Sequence, residues 1–164
     1  MAVYLNAVNR LRIVRIQEVR VESPTVKTFT FQDKLCGKAE PGQFVMVWIP
    51  GIDEIPTSLS TITSNGFTSI TVAEVGEATK ALHQRKQGDV LGIRGPYGKG
   101  FTLTSGNIMI VGGGTGLVPL RPLTDKLLKF ATKLTFLLGA KTKDELLFLD
   151  HINQMLSKVN AEIV

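Results

Sequence analysis

Four apolar β-formers, Ile108-Met109-Ile110-Val111, run into Gly112-Gly113-Gly114-Thr115-Gly116 and leave through Leu117 into helix-compatible sequence. Strand, glycine-rich turn and helix in that order constrain the fold more than any other stretch. They mark a unit of a parallel sheet, the arrangement in which backbone N–H groups at a helix N-terminus meet a phosphate or pyrophosphate. The pattern continues downstream. Leu117 to Phe130 has helical spacing, and Lys133 to Gly139 contains a second apolar strand. Thr142 to Ser157 carries Leu146, Leu147, Leu149, Ile152, Met155 and Leu156 at helical intervals, with Thr142 and Glu145 spaced as an N-cap and capping box. Ala161 to Val164 begins a third strand. This is β-α-β-α-β, a partial α/β doubly wound parallel sheet. Only 48 of the 164 residues follow Gly116. Half a sheet leaves an open edge beside Ile108 to Val111, expected either to be covered by another chain or to be a cause of instability.

Upstream of about Thr104 the sequence reads as β-structure. Leu11 to Val21 is one long strand rich in Val, Ile and Arg; Ser23-Pro24 turns it, and Thr25 to Phe31 alternates as a half-buried strand does. Pro41-Gly42 turns into the apolar run Gln43 to Ile49, which Pro50-Gly51 ends. Ser58 to Thr63 and Ser69 to Val75 flank the hairpin signal Asn65-Gly66. Glu77 to Arg85 is the helix of this half, and Gly88-Asp89 leads into Val90 to Arg94. Many short strands with one helix predict a small antiparallel all-β barrel over residues 1–104, followed by the α/β part over 105–164.

Cys36 is the only cysteine, and His83 and His151 are the only histidines. No disulfide within the chain and no zinc or iron–sulfur site built from it alone is expected, and Cys36 reads as a structural thiol. No apolar run approaches the roughly 20 residues of a membrane span, and Met1 to Arg12 lacks a secretory h-region; both favour a cytoplasmic protein with no membrane contact. The net charge is +5, with arginines at 10, 12, 15 and 20. They alternate with aliphatics and bring no aromatic stacking set, so a solvated strand face is the reading, not nucleic-acid binding.

The loop at Gly112 to Gly116 is not a P-loop, because no Gly-Lys-Ser/Thr follows. Leu117 takes the third glycine position of G-x-G-x-x-G, and Lys141 and Lys143 follow the second strand where a ribose-binding acid is expected. The loop alone is either a phosphate site or a tight strand-to-helix turn. Val75-Gly76-Glu77-Ala78-Thr79 offers a second place where an anion can approach backbone N–H groups, with the Thr79 hydroxyl as a further donor; an ordinary N-cap looks the same. Ile55-Pro56-Thr57-Ser58-Leu59-Ser60 puts hydroxyls after a proline. Arg94 to Phe101 is a glycine-rich connector.

Order and spacing together are more specific. P-G-Q-F-V-M-V-W, P-T-S-L-S, V-G-E-A-T-K-A-L, G-P-Y-G-K-G-F, I-V-G-G-G-T-G-L-V-P-L and G-A-K-T-K-D-E-L-L-F succeed one another between Pro41 and Phe148. The series resembles the ferredoxin–NAD(P) reductase superfamily, and within it the electron-transfer subunits of the two-subunit, NAD-dependent dihydroorotate dehydrogenases. The resemblance implies an FAD-binding Greek-key barrel followed by a nicotinamide-nucleotide domain. It implies that Pro56, Thr57 and Ser58 lie along the flavin, Thr71, Val72 and Ala73 along the ribityl–pyrophosphate part, and Gly76, Ala78 and Thr79 at the pyrophosphate. Gly113, Gly114, Thr115 and Gly116 would approach the phosphates of NAD(P). No acid–base catalyst is implied, because the redox chemistry is the cofactor's.

The resemblance also implies a function: an oxidoreductase subunit passing electrons between NAD(H) and a catalytic flavoprotein subunit of dihydroorotate dehydrogenase in pyrimidine biosynthesis. That is a hetero-oligomer, with a homodimer as the other assembly considered. The alternatives are an electron-transfer subunit of an NADPH:ferredoxin oxidoreductase or sulfhydrogenase, or a redox-inactive flavin- or nucleotide-binding module. Two departures stand out. Ile55 occupies the position of a basic residue and Thr57 that of an aromatic one, which removes a phosphate counter-charge and a ring-stacking surface. The family's C-terminal region, with the cysteines of its [2Fe–2S] cluster, has no counterpart here, so the chain reads as C-terminally truncated relative to it.

Overall fold

The computed structural model describes residues 2–156 and 161–163, with the side chains of residues 5–155. Ser157 and Val164, the expected ends of the last helix and strand, lie outside the described residues. The described residues form two sheets, one of seven strands and one of three.

The seven-stranded sheet is antiparallel and curls on itself. Its end strands are two halves of one chain segment. The sequence predicts a single strand over Leu11 to Val21; the structure divides it into β1 (Arg12–Arg15) and β2 (Glu18–Ser23). β1 pairs with β7 (Val90–Tyr97), and β2 pairs with β3 (Val26–Gln32). At the break Ile16 N–H donates to Asp89 C=O at 2.8 Å and Gln17 N–H to Thr30 C=O at 2.8 Å. The strand changes partner in one residue step, and that change closes a six-stranded Greek-key barrel. β4 (Phe44–Ile49), β5 (Asp53–Ile62) and β6 (Phe67–Ala73) complete it. β5 starts five residues before the expected Ser58 and includes Pro56. The core holds Phe29, Phe31, Val45, Val47, Ile49, Leu59, Ile70, Leu91 and Ile93. One end is plugged by α2 (Glu77–His83), whose Leu82 is fully buried.

β5 is divided as well. Residues 53–58 pair with β4 alone, and Leu59, Thr61 and Ile62 pair with β6. A register irregularity between Leu59 and Thr61 separates the halves, with Ser60 as the extra residue, as in a β-bulge. Before it, β5 and β6 diverge. Pro56, which has no N–H to donate, sits on the edge that β6 has left.

An N-terminal helix that sequence reading does not anticipate, α1 (Ala2–Asn9), lies against β7. Its Val8 is buried, and Tyr97 Oη donates to Val8 C=O at 3.2 Å and lies 3.0 Å from Asn9 Oδ1. Behind it Arg12 Nε donates to Asp33 Oδ2 at 2.7 Å, and Asp33 Oδ1 accepts from the N–H groups of Leu35 and Cys36 at 2.9 and 2.8 Å. Burial works against the Asp33 carboxylate, yet Arg12 and the Cys36 N–H outweigh it and hold its pKa below the usual value. Burial first, and then the Asp33 charge, push the Cys36 thiol far above its usual range. Cys36 is a structural thiol.

The three-stranded sheet is parallel: β8 (Gly106–Gly113), β9 (Ala131–Gly139) and β10 (Ala161–Ile163), with α3 (Leu120–Leu127) and α4 (Leu149–Leu156) in the crossovers. Ile110, Leu123, Leu127, Leu134, Phe136, Leu147 and Ile152 make its core. Met109 and Val111 on β8 are 66% and 61% exposed. The helix predicted over Thr142 to Ser157 is interrupted. A 3-10 turn spans Lys143–Glu145, and Thr142 precedes it without a side-chain cap. Leu146 is extended, and Phe148 has a φ of 61°. Burying Leu147 and Phe148 at consecutive positions, with the Arg121 guanidinium 4.9 Å from the Phe148 ring centre, takes the backbone off the helical path. The helix restarts when Ile152 N–H bonds to Phe148 C=O.

Candidate functional site

Where β5 and β6 diverge they leave a cleft of about 370 Å³. Ile55, Pro56, Thr57 and Ser58 form one wall, Thr71, Val72 and Ala73 the other. Val75 and Thr79 line it from the segment leading into α2, and Thr115 and Val118 from the segment after β8. The cleft joins four stretches that the sequence reading names separately. Pro56, Thr57, Ser58, Thr71, Val72, Ala73, Thr79 and Thr115 all line it; Gly76, Ala78, Gly113, Gly114 and Gly116 do not.

The lining is hydroxyl-rich and uncharged. Four threonines and one serine face or border it, with no Lys, Arg, Asp or Glu. Ile55 is half-buried and packs against the barrel core, and Thr57 is 9% exposed. Arg94 does not supply the missing cation: its Nε donates to Glu54 Oε1 at 2.7 Å and its second nitrogen to Oε2. The arginine hydrogen bonds hold Glu54 below the usual carboxylate range.

The turn before α2 is organised by Thr79. Its Oγ1 accepts from the N–H groups of Val75 and Gly76, both at 2.9 Å, and donates to Gly76 C=O at 2.9 Å. The hydroxyl proton is therefore committed to the backbone and is not the free donor expected from sequence. The first intrahelical bond of α2 runs from Lys80 N–H to Gly76 C=O at 2.8 Å. The N–H groups of Glu77, Ala78 and Thr79 precede it and point out of the helix start. A Cβ on Gly76 would meet nothing within 4 Å, so the space beside this turn is open.

The glycine loop has a different character from the one expected. β8 leads into a 3-10 turn over Gly114–Leu117, and α3 begins only at Leu120. The glycines are not the start of the α-helix. A Cβ on Gly113 would lie 2.7 Å from Gly139 O, and one on Gly112 2.6 Å from Leu117 Cδ2. Those two glycines let β8 approach β9 and the following turn, which is the tight-turn reading of the loop. Gly114 has a φ of 51°, and Gly116 faces open space. Within the run, Thr115 alone lines the cleft. Val118, which sequence reading misses, is buried in the core of the three-stranded sheet and also lines the cleft.

Among the described residues no helix is long and apolar enough to cross a membrane, and no group of three His, Cys, Asp or Glu is placed to hold a metal ion.

No family model matches the chain. Its curated relatives include the probable dihydroorotate dehydrogenase B (NAD(+)) electron-transfer subunit of Methanocaldococcus jannaschii, 44% identical over 143 residues, which are 87% of this chain and 53% of that protein. The subunit of the same name from Methanocella arvoryzae is 47% identical over 137 residues, 82% of this chain and 50% of that protein. The chain thus spans about half the length of the curated relatives it matches. Among solved structures, an NADH-dependent reduced ferredoxin–NADP oxidoreductase from work on flavin-based electron bifurcation superposes with a TM-score of 0.81 at 26% identity, covering 93% of this chain and 56% of that one. A ferredoxin–NADP+ reductase from Plasmodium falciparum shares the fold, with a TM-score of 0.75 at 20% identity over 94% of this chain and 68% of that one.

Proposed function

We propose that this chain, a relative of the dihydroorotate dehydrogenase B electron-transfer subunits with the fold of the ferredoxin reductases, binds FAD in the cleft between β5 and β6. Its role is to pass electrons between NAD(H) and a catalytic flavoprotein subunit that oxidises dihydroorotate, in the cytoplasm. Residues 1–104 are the flavin half and residues 105–164 the nicotinamide half of this assignment.

The observation that carries it is the divergence of β5 from β6. It brings Pro56 to Ser58, Thr71 to Ala73 and Thr115 around one cavity. The residues fit the group. An uncharged, hydroxyl-edged cleft suits a flat heteroaromatic ring that needs a few oriented hydrogen bonds. The open space beside Gly76 and the outward N–H groups of Glu77 to Thr79 suit an anionic pyrophosphate. A bound flavin supplies the exchange between a two-electron hydride and single electrons. The chain's own part is to bind and orient. Ser58 offers a hydroxyl to the ring, Thr71 is held in the wall by its hydrogen bond to Thr28 at 2.8 Å, Thr79 fixes the turn that presents the backbone donors, and Val118 closes the cleft against water.

The test is reconstitution. The purified chain, incubated with FAD and desalted, should retain flavin absorbance near one equivalent. A protein that stays colourless and leaves flavin fluorescence unchanged would refute the assignment and favour the redox-inactive reading.

One observation favours a second donor. Lys141 and Lys143 are exposed just past the end of β9, where a ribose-binding acid would select NAD. Cations there suit a 2′-phosphate, as in an NADPH:ferredoxin oxidoreductase subunit. Faster flavin reduction by NADPH than by NADH would decide for that reading.

A further inference from the structure

Thr71 lines the cleft, and its hydroxyl pairs with Thr28 Oγ1 at 2.8 Å. The next bond back decides which of the two donates. Thr28 Oγ1 also lies 2.5 Å from Glu22 Oε1. A carboxylate only accepts, so the single Thr28 proton goes to Glu22, and the Thr71 proton goes to Thr28. Glu22 is fixed for this part: its side chain is 8% exposed, and the same Oε1 accepts from Arg20 Nε at 2.8 Å and Arg20 Nη2 at 2.6 Å. Both hydroxyl protons therefore point away from the cleft, and Thr71 Oγ1 keeps only lone pairs to offer a ligand.

The strand ladders build this chain of bonds. Arg20 opposes Thr28 across β2 and β3, and Thr28 opposes Thr71 across β3 and β6. Residues directly opposite one another share a face of the sheet. Here it is the face turned away from the barrel core, which takes Phe29 and Ile70 instead. Neither Glu22 nor Thr28 lines the cleft; they reach it through the Thr71 hydroxyl. Thr79, the other cleft hydroxyl with a committed proton, already accepts two backbone N–H groups. Thr71 is the committed hydroxyl that still has acceptor capacity.

We propose that Thr28 and Glu22 are positioning residues that hold the Thr71 hydroxyl as an acceptor towards a bound flavin and so disfavour its reduced form. This inference rests on the assignment of FAD to the cleft. Reduction adds electron density to the flavin ring. A donor turned towards that density stabilises it, and a lone pair opposes it. Releasing the Thr71 proton into the cleft should therefore tighten the binding of reduced FAD relative to oxidised FAD. One hydrogen bond to a charged group, partly screened by solvent, sets the change at roughly fivefold. At about 30 mV per tenfold for a two-electron couple, that raises the midpoint potential by about 20 mV. The arrangement in the wild-type chain keeps the flavin the stronger reductant.

The experiment is the midpoint potential of FAD on the reconstituted chain, by reductive titration against a reference dye, with affinity for oxidised FAD measured by fluorescence. Thr28→Val keeps the side-chain shape, leaves the Arg20 and Glu22 charges in place and removes the oxygen that takes the Thr71 proton. It should raise the potential by about 20 mV. Thr28→Ser, which keeps that oxygen, should match wild type. The rise should vanish in a Thr71→Val background, as the coupling in a double-mutant cycle requires. If Thr28→Val does not fold, Glu22→Gln takes its place: its amide can donate to Thr28 and reverse both hydroxyls, with a rise of the same sign. FAD binding with a potential that these variants leave unchanged or lower, a rise with Thr28→Ser as large as with Thr28→Val, or a rise that persists in the Thr71→Val background overturns this inference alone. No FAD binding by the wild-type chain overturns the site assignment and this inference together.

Discussion

Ile55 offers the most direct test of how the cleft meets an anion. It lies half-buried on the cleft wall, opposite Val47 of β4, and no residue lining the cleft carries a charge. With FAD bound as proposed, Ile55→Arg should restore a counter-charge for the flavin pyrophosphate. A hydrogen bond to a charged group is worth about 1.5–3 kcal/mol when shielded, and solvent reduces that toward about 1 kcal/mol at an open rim. One kcal/mol is roughly fivefold in affinity. Against this stands the loss of part of Ile55's packing on the barrel core, about 1 kcal/mol of fold stability, which melting measures separately. The assay compares FAD with riboflavin, which lacks the pyrophosphate, at low and high salt. FAD should gain about fivefold at low salt, riboflavin nothing, and the gain should fade as salt screens it. An equal gain for riboflavin, or no gain for FAD in a variant with unchanged circular dichroism, would refute the reading of Ile55 as the place of a missing phosphate counter-charge.

Gly113→Ala sets a Cβ 2.7 Å from the Gly139 carbonyl oxygen, backbone that cannot swing aside, so thermal unfolding should show a loss of about 1–3 kcal/mol; Gly116→Ala, into open space, should change stability by less than about 0.5 kcal/mol. Asp33 is held below the usual carboxyl range by Arg12 and the Cys36 N–H. Its contribution is present above the ordinary carboxyl pKa near 4 and disappears as the pH falls through the lower folded value. Asp33→Asn should cost about 1–3 kcal/mol at neutral pH, and denaturant melts should show the gap to wild type narrowing in acid; a gap independent of pH would refute the pairing. Cys36 is fully buried and should resist thiol reagents in the native protein and react stoichiometrically once denatured; rapid native labelling would count against the burial described.

Local chemistry was legible in the sequence wherever neighbours along the chain decide the outcome. Pro41-Gly42 and Asn65-Gly66 are turns, and the apolar spacing of Ala78, Ala81 and Leu82 makes a helix. The glycine-rich run does follow a strand. What could not be read depends on distant partners. Leu11 to Val21 has one continuous β pattern, and only the positions of β7 and β3 explain why it bends at Ile16. Asp53 and Glu54, acidic residues before Pro56, look like turn material, yet β4 recruits them as strand. The spacing of Thr142 to Ser157 suits a helix, but burying Leu147 and Phe148 together interrupts it. At the site, sequence named most of the cleft-lining residues. It could not tell that Gly112 and Gly113 are small because strand and turn press on them, or that the Thr79 proton is already committed.

The divergence of β5 from β6 has a kinetic consequence. The two cleft walls are each hydrogen-bonded on their far side, β5 to β4 and β6 to β3, inside a ring that the bent first strand closes. A ligand can neither zip the gap shut nor widen it without breaking those ladders. The cleft is therefore a rigid receptor before anything enters it, with little ordering cost on association. Flavin exchange should proceed as a single concentration-dependent phase, with no slow conformational step limiting uptake, and differences in retention among cleft variants should appear in the rate of release.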